Sequence, residues 1–179
     1  DAVIINVCPG TTKSTIISQM LPAWTWCVKS SSKVLSNTND SKLSARNASR
    51  SKDIITSEKY KAYFPEVEIR KDATAKMFYE NTDGGARYSY TTKGAKIGNH
   101  GDVLIDDDPT TPKQSKSPVE MDSAIEGWKE FLTRMTNKET SLYILLMQRL
   151  SENDMTMYAL SKFDNVLHVC LPAKISDKI

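Results

Sequence analysis

An apolar run, Ala2-Val3-Ile4-Ile5-Asn6-Val7, leads straight into Cys8-Pro9-Gly10-Thr11-Thr12-Lys13-Ser14-Thr15, and a helix-like stretch begins at Ile16. A strand, a tight turn, a Lys-Ser pair and a helix form the arrangement that cradles phosphates. Backbone N–H groups point into the loop, the helix N-terminus favours anions, and the lysine ammonium reaches the outer phosphates. In the usual pattern, G-x-x-x-x-G-K-[ST], the two fixed glycines fall here on Val7 and Thr12. Taken alone, the segment fits either a phosphate loop or a plain strand–turn–helix corner.

The 179 residues suit one domain with a substantial core. With 39% hydrophobic and 26% charged residues and a net charge of +2, the composition is that of an ordinary globular protein, and any nucleic-acid face must be local. Cys8, Cys27 and Cys170 are widely spaced and form no C-x-x-C, which argues against a disulfide scaffold and structural zinc and fits a reducing cytoplasm. No apolar run is long enough to span a membrane and no signal peptide is visible, so no membrane partner is expected. Both ends read as cut, as expected for one domain of a longer protein.

The helix after the loop is expected from Ser14 to about Val28, kinked or interrupted by Pro22. A short strand follows around residues 33–37, and Asp40 caps a helix to about Thr56, with Leu43, Asn47 and Arg50 at helical spacing. Residues 57–63 form a second short helix. Strands are expected over 67–70, 75–80 and 87–92, with a turn at Asp83-Gly84-Gly85. Residues 93–101 read as an exposed loop, and Val103-Leu104-Ile105 as a buried strand running into Asp106-Asp107-Asp108-Pro109. After a flexible linker over 110–116, Ser117-Pro118-Val119-Glu120 opens a helix whose face carries Met121, Ile125, Trp128, Leu132 and Met135. Residues 142–147 are a fully apolar strand tipped by Gln148-Arg149, residues 151–163 a helix, and residues 166–170 the last strand. The alternation predicts an α/β sandwich with a mostly parallel sheet.

A buried strand ending in carboxylates places them at the carboxyl edge of a sheet, where open α/β folds bind ligands. Nucleotide hydrolysis needs one carboxylate to hold Mg²⁺ and a group to orient the attacking water, and two adjacent carboxylates can divide those roles. An acidic turn closed by proline is the plain alternative. Gln148, leaving the next apolar strand, is placed to face a terminal phosphate, and Arg149 to relay the nucleotide's state; a polar residue leaving a core strand is also common.

Four segments in order resemble the ATPase domain of phage large terminase subunits, the motors that package DNA. They are Pro9–Ser14 as a deviant Walker A; Ser36–Asp40 followed by Ser57-Glu58-Lys59-Tyr60 and Phe64-Pro65; Gly98–Pro109; and Met147–Asp154. The resemblance implies a P-loop NTPase, a three-layer αβα sandwich over residues 1–173, with 174–179 starting a linker toward a nuclease domain and an adenine-contacting segment upstream of residue 1. It implies that Pro9, Gly10, Thr11, Thr12, Lys13, Ser14 and Thr15 bind ATP, with Lys13 on the β/γ-phosphates. Ser14 and Asp107 would hold Mg²⁺, Asp108 would be the catalytic carboxylate, Asp106 an extra acid in a usually apolar slot, and Gln148 part of the coupling motif. It further implies double-stranded DNA, the portal protein and the small terminase subunit as partners, a homo-oligomeric ring when assembled, and work in the host cytoplasm, transiently on the procapsid portal. Asn99 stands where many relatives carry arginine, so a trans-acting arginine finger is not assigned; Arg46, Arg50 and Arg87 are the substitutes available.

His100 reads as a structural loop residue and His168 as core or near-core. Trp24, Trp26 and Trp128 read as packing residues. The cations Lys42, Arg46, Arg50, Lys52, Lys59 and Lys61 read as a solvated helical face, with a subunit or DNA contact the sharper alternative. A helicase-type nucleic-acid ATPase and a nucleotide-binding module without turnover are the competing functions; Asp-Asp-Asp-Pro-Thr, rather than Asp-Glu-x-His/Asp, favours the terminase.

Overall fold

Eight strands and five α-helices were described in a computed structural model that covers residues 1–92, 94 and 98–172. The strands are β1 (Ala2–Val7), β2 (Lys33–Thr38), β3 (Ile69–Ala75), β4 (Phe78–Asn81), β5 (Ala86–Thr91), β6 (Val103–Asp107), β7 (Leu142–Met147) and β8 (Val166–Leu171). The α-helices are α1 (Leu21–Val28), α2 (Ser41–Thr56), α3 (Glu58–Tyr63), α4 (Pro118–Leu132) and α5 (Met155–Lys162). The linker expected over 174–179, the boundary at Ala173, and residues 93 and 95–97 of the polar loop lie outside the described residues.

All eight strands join one sheet in the order β3-β4-β5-β2-β6-β7-β1-β8. From β5 to β8 neighbouring strands are parallel, and β3, β4 and β5 form an antiparallel meander at one edge. β6 and β7 lie in the middle and are buried on both faces, which is why residues 103–105 and 142–147 read as continuous apolar runs; β6 itself extends two residues further, through Asp106 and Asp107. Strand parity assigns each residue to a layer. Ala2, Ile4, Leu104, Tyr143, Leu145 and Met147 face α4 and α5 together with Trp128, Phe131 and Ala159. Val34, Ile105 and Ile144 face the other way, against Ile17 and Leu21. Helices thus cover both faces of a mostly parallel sheet, the three-layer α/β sandwich expected.

Several boundaries differ from the expected ones. The helix after the loop is two pieces: a π-helical segment, Thr15–Met20, precedes α1, and Pro22 sits in the first turn of α1, where its missing N–H costs nothing. The wider winding absorbs the proline, so no kinked α-helix is needed. The hairpin β3–β4 turns at Lys76-Met77, so Ala75 ends one strand rather than starting the next. Helix α5 begins at Met155, not at residue 151, because the Asp154 carboxylate accepts from Thr156 N and caps it. Helix α4 stops at Leu132, and Met135 pairs with Gly101 instead of extending its face. Within the expected linker, residues 114–116 make a short 3₁₀ turn and Thr110 is buried. Trp26 and Trp128 are packed inside, but Trp24 is 60% exposed on the outer face of α1. His168 is also exposed, because β8 is an edge strand whose side chains largely face outward.

Three consecutive acids at the end of β6 have three destinations. Asp106 faces the α4 layer and is fully buried, accepting from Asn37 Nδ2 at 2.6 Å and from the Tyr143 hydroxyl at 2.9 Å. Trp128 Nε1 donates to that same hydroxyl at 2.7 Å, so one phenol joins β6, β7 and α4. Burial and the neighbouring Asp106 charge push the Tyr143 phenol well above its ordinary range. Tyr143→Phe is expected to lower the unfolding free energy by about 1–3 kcal/mol, since it takes a donor from a buried carboxylate and an acceptor from a buried indole. Urea unfolding followed by tryptophan fluorescence measures it.

In the loop, Gly10 (φ +82°) and Thr12 (φ +59°) both turn left-handed. Gly10 takes this conformation freely, whereas for a β-branched threonine it is a strained outlier. Thr12→Gly is expected to raise stability by about 1 kcal/mol in the same unfolding assay, relief of strain outweighing glycine's greater chain entropy.

Candidate functional site

Strand β1 and strand β6 end at the same edge of the sheet with β7 between them. Each end delivers part of the site. From β1 the chain turns through Cys8–Thr12, held by the Thr11 hydroxyl donating to Cys8 O at 2.8 Å and by Ile16 N donating to Thr12 O at 3.2 Å. Pro9 to Thr12 are exposed, and Lys13 and Ser14 lean back over the sheet edge.

Across the gap, Lys13 Nζ meets Asp108 Oδ1 at 2.6 Å, the lysine side chain only 9% exposed and the aspartate 31%. Ser14 Oγ donates to Asp107 Oδ1 at 3.0 Å. The loop and the strand tip are therefore one constellation, Lys13 meeting Asp108 and Ser14 meeting Asp107. Asp108 leaves the strand with φ +46°, a turn that directs it out of the sheet, while its amide donates to Leu146 O and its carbonyl accepts from Asn39 Nδ2 at 2.7 Å. The residue whose side chain meets Lys13 is thus fixed through both of its flanking peptide groups.

Asp107 is 1% exposed and faces the layer of the π-helical segment. Its second oxygen accepts from Ser18 Oγ at 2.7 Å and from Asn47 Nδ2 at 3.4 Å, and Gln19 Nε2 holds Asn47 Oδ1 at 2.9 Å. Burial pushes the Asp107 carboxyl above its usual range, the Ser18 and Ser14 hydroxyls pull it back, and the adjacent Asp108 adds a further push. The folded chain then holds this proton more tightly than the unfolded chain. Its contribution to stability is fully present below the ordinary carboxylate range and is lost as pH rises through the raised value.

Ser18, Asn47 and Asn39 are members of the site that sequence reasoning did not single out as such. Ser18 lies four residues beyond Ser14, on the same side of a helical segment, and that spacing was the available signal. Asn47 had a weaker one, a polar residue on the inward stripe of α2 among Ser44, Ala45, Ala48 and Ser51.

Behind Ser18 lies Arg87, 1% exposed, whose guanidinium donates to Ser18 O at 3.0 Å, Ser89 Oγ at 3.0 Å and Ser36 Oγ at 3.3 Å. Among the described residues no carboxylate pairs with it, and burial pulls its pKa below the ordinary value. Enclosed in this way, Arg87 does not fit the role of a finger that reaches a neighbouring subunit. Arg46 and Arg50 are exposed on α2. Asn99 donates to the Tyr90 hydroxyl at 2.8 Å.

Gln148 follows β7, between the two strand ends, half-buried and with no side-chain hydrogen bond among the described residues. Arg149 is used locally: it donates to Asp154 Oδ2 at 3.0 Å and to the carbonyls of Ser151 and Glu152. Asp154 is fully buried and also accepts from the amides of Leu150 and Thr156, so the turn leaving Gln148 is clamped. No helix among the described residues is long and apolar enough to cross a membrane.

No protein-family model and no curated protein matches the sequence. Solved structures do match in fold. The HK97 bacteriophage large terminase superposes with a TM-score of 0.67 at 14% identity over 100% of this chain and 36% of that one. The large terminase of a thermophilic bacteriophage, in complex with ADP, gives 0.51 at 13% identity over 94% of this chain and 39% of that one. The N-terminal domain of the bacteriophage phi29 DNA packaging ATPase gives 0.50 at 12% identity over 95% and 88%. This chain thus spans about a third of the HK97 protein's length, and what it shares with all three is the fold.

Proposed function

We propose that the chain is the ATP-hydrolysing domain of a DNA-packaging motor, in which Mg-dependent hydrolysis at the Cys8–Thr15 loop drives double-stranded viral DNA into procapsids. One observation carries this: Lys13 and Ser14 converge separately on Asp108 and Asp107, at 2.6 Å and 3.0 Å. A plain strand–turn–helix corner has no reason to join its lysine and serine to two adjacent acids on a non-neighbouring strand. The three structural neighbours, one of them an ADP complex, support the same reading.

The residues divide the work by chemistry. The Lys13 ammonium exchanges Asp108 for the β/γ-phosphates, which compete for it with more charge and more acceptor oxygens. Asp108, released, orients a water for in-line attack on the γ-phosphorus. The bond from that phosphorus to the bridging oxygen breaks, ADP leaves with the electron pair, and the water's proton passes through the carboxylate to solvent. Ser14 and Asp107 are oxygen donors 3.0 Å apart, which suits a hard divalent cation. They would hold Mg²⁺, which supplies charge neutralisation on the phosphate oxygens. Gln148 lies between the two strand ends and faces the terminal phosphate, and the clamped 149–154 turn carries its displacement into α5. The portal protein, the small terminase subunit and a ring of copies are the partners this role requires.

Binding of a fluorescent ATP analogue and phosphate release, each with and without Mg²⁺, test the assignment. Lys13→Ala is expected to weaken binding at least about 10-fold. Asp108→Asn is expected to keep binding and lose at least about 100-fold in turnover, the scale of a positioned acid–base group. Wild-type turnover in Asp108→Asn would remove that residue from its role, and binding without any phosphate release by the unmutated chain would favour a nucleotide-binding module.

A further inference from the structure

Helix α2 has two working faces. Its inner face carries Asn47 to Asp107. Its outer face forms one wall of a groove of about 810 Å³, whose other wall is the tip of the β3–β4 hairpin. Lys42, Arg46, Arg50 and Lys52 line the groove from the helix, Lys76 lines it from the hairpin turn, and Asp53 is the one acid among them. The chain as a whole carries only +2, so this is a strong local concentration of charge.

These cations are not neutralised within the fold. Among the described residues none of the five takes part in an ion pair, whereas Arg70, on the same hairpin, is held by Asp72 and Glu80. Lys52 donates instead to the Thr74 hydroxyl and so ties the two walls together. Lys42, Arg46 and Arg50 recur every fourth residue and form a stripe along α2. At ~1.5 Å of rise per residue the stripe is about 12 Å long. That length matches roughly three to four phosphates of one DNA strand at ~3.4 Å of axial rise each.

The groove also lacks what a single-strand reader needs. Its aromatic lining residue, Tyr79, is 1% exposed and offers no face for a base to stack on. Cations without a stacking platform engage phosphates rather than bases, the mode by which a duplex backbone is held without sequence readout.

We infer that the groove between α2 and the β3–β4 hairpin is a track for the phosphate backbone of double-stranded DNA, read without regard to sequence. The polyanion chemistry comes from the groove alone; the choice of DNA as its source rests on the packaging reading above. Because α2 also holds Asn47 against Asp107, a load on the outer face bears directly on a helix that lines the nucleotide site.

Fluorescence anisotropy of a labelled mixed-sequence duplex, titrated with the chain at several salt concentrations and without nucleotide, tests this. Arg46→Ala/Arg50→Ala is expected to lose at least about 10-fold in affinity at moderate salt and to reduce the slope of log K against log salt by about 2, near one unit for each phosphate contact removed. Lys76→Ala is expected to reduce it by about 1. Lys129→Ala, a cation already paired with Glu126 on α4, serves as the control and is expected to change nothing. All substituted side chains are exposed, and an unchanged melting temperature verifies folding. The inference is overturned if the groove variants bind duplex as the unmutated chain does, or if an acidic peptide binds there and duplex does not. Asp108→Asn is expected to bind duplex normally, which separates the two proposals: a chain that binds duplex through the groove but never releases phosphate loses the ATPase reading and keeps this one. Turnover with duplex binding indifferent to the groove does the reverse.

Discussion

The carboxyl ends of β1 and β6 do not touch, because β7 lies between them. With strands about 4.8 Å apart, that leaves roughly 10 Å to be spanned at the sheet edge. The local structure is organised around this span. The loop turns left-handed twice, at Gly10 and Thr12, and Lys13 reaches over to Asp108. Asp108 turns left-handed as well, and Asn39, just past the end of β2 on the far side of β6, fixes its carbonyl. The strained threonine and the strained aspartate stand on the two sides of the same gap, where departures from relaxed backbone concentrate when geometry is set by a site rather than by the fold.

Strand parity separates Asp106 from Asp107, and the left-handed turn at Asp108, just past β6, sends the third acid out of the sheet. Asp106, Asp107 and Asp108 are chemically identical in the sequence, yet one enters the α4 layer, one faces the π-helical segment, and one leaves the sheet. Asp106 accordingly belongs to the packing of β6, β7 and α4 through Tyr143 and Trp128, while Asp107 belongs to the loop and to α2. Arg87 extends that second network by holding the carbonyl of Ser18, whose hydroxyl holds Asp107. The site is thus embedded in buried polar groups contributed by β2, β5, α2 and the π-helical segment, and a shift in any of them reaches the Asp107 carboxylate.

Much of this was legible in the residues. The apolar runs of β1, β6 and β7 identified buried parallel strands, Asp40 and Ser117 marked helix starts, and the Lys13-Ser14 and Asp107-Asp108 pairs stood at strand ends where chemistry is placed. The illegible parts have physical reasons. Pro22 forecast a disturbed helix but not that the disturbance would be a π-helical segment just before it. Residues 67–80 alternate too weakly to fix a register, since most of β3 faces outward, and the turn at Lys76-Met77 carries no glycine or proline. His168 sits in an apolar run, and only the strand order shows that β8 is an edge. The cations of residues 42–52 read as a solvated face because periodicity reports one helix at a time; the hairpin that turns the face into a groove comes from distant sequence.

The central claim is that Lys13 belongs to a phosphate and is held for it by Asp108. A crystal structure of the chain with Mg²⁺ and a non-hydrolysable ATP analogue tests it most directly. The Lys13 ammonium is expected on the β/γ-phosphate oxygens, beyond ion-pairing distance of Asp108, with Ser14 and Asp107 flanking the metal. A nucleotide seated elsewhere, or seated at the loop with the Lys13–Asp108 pair intact, would contradict the account.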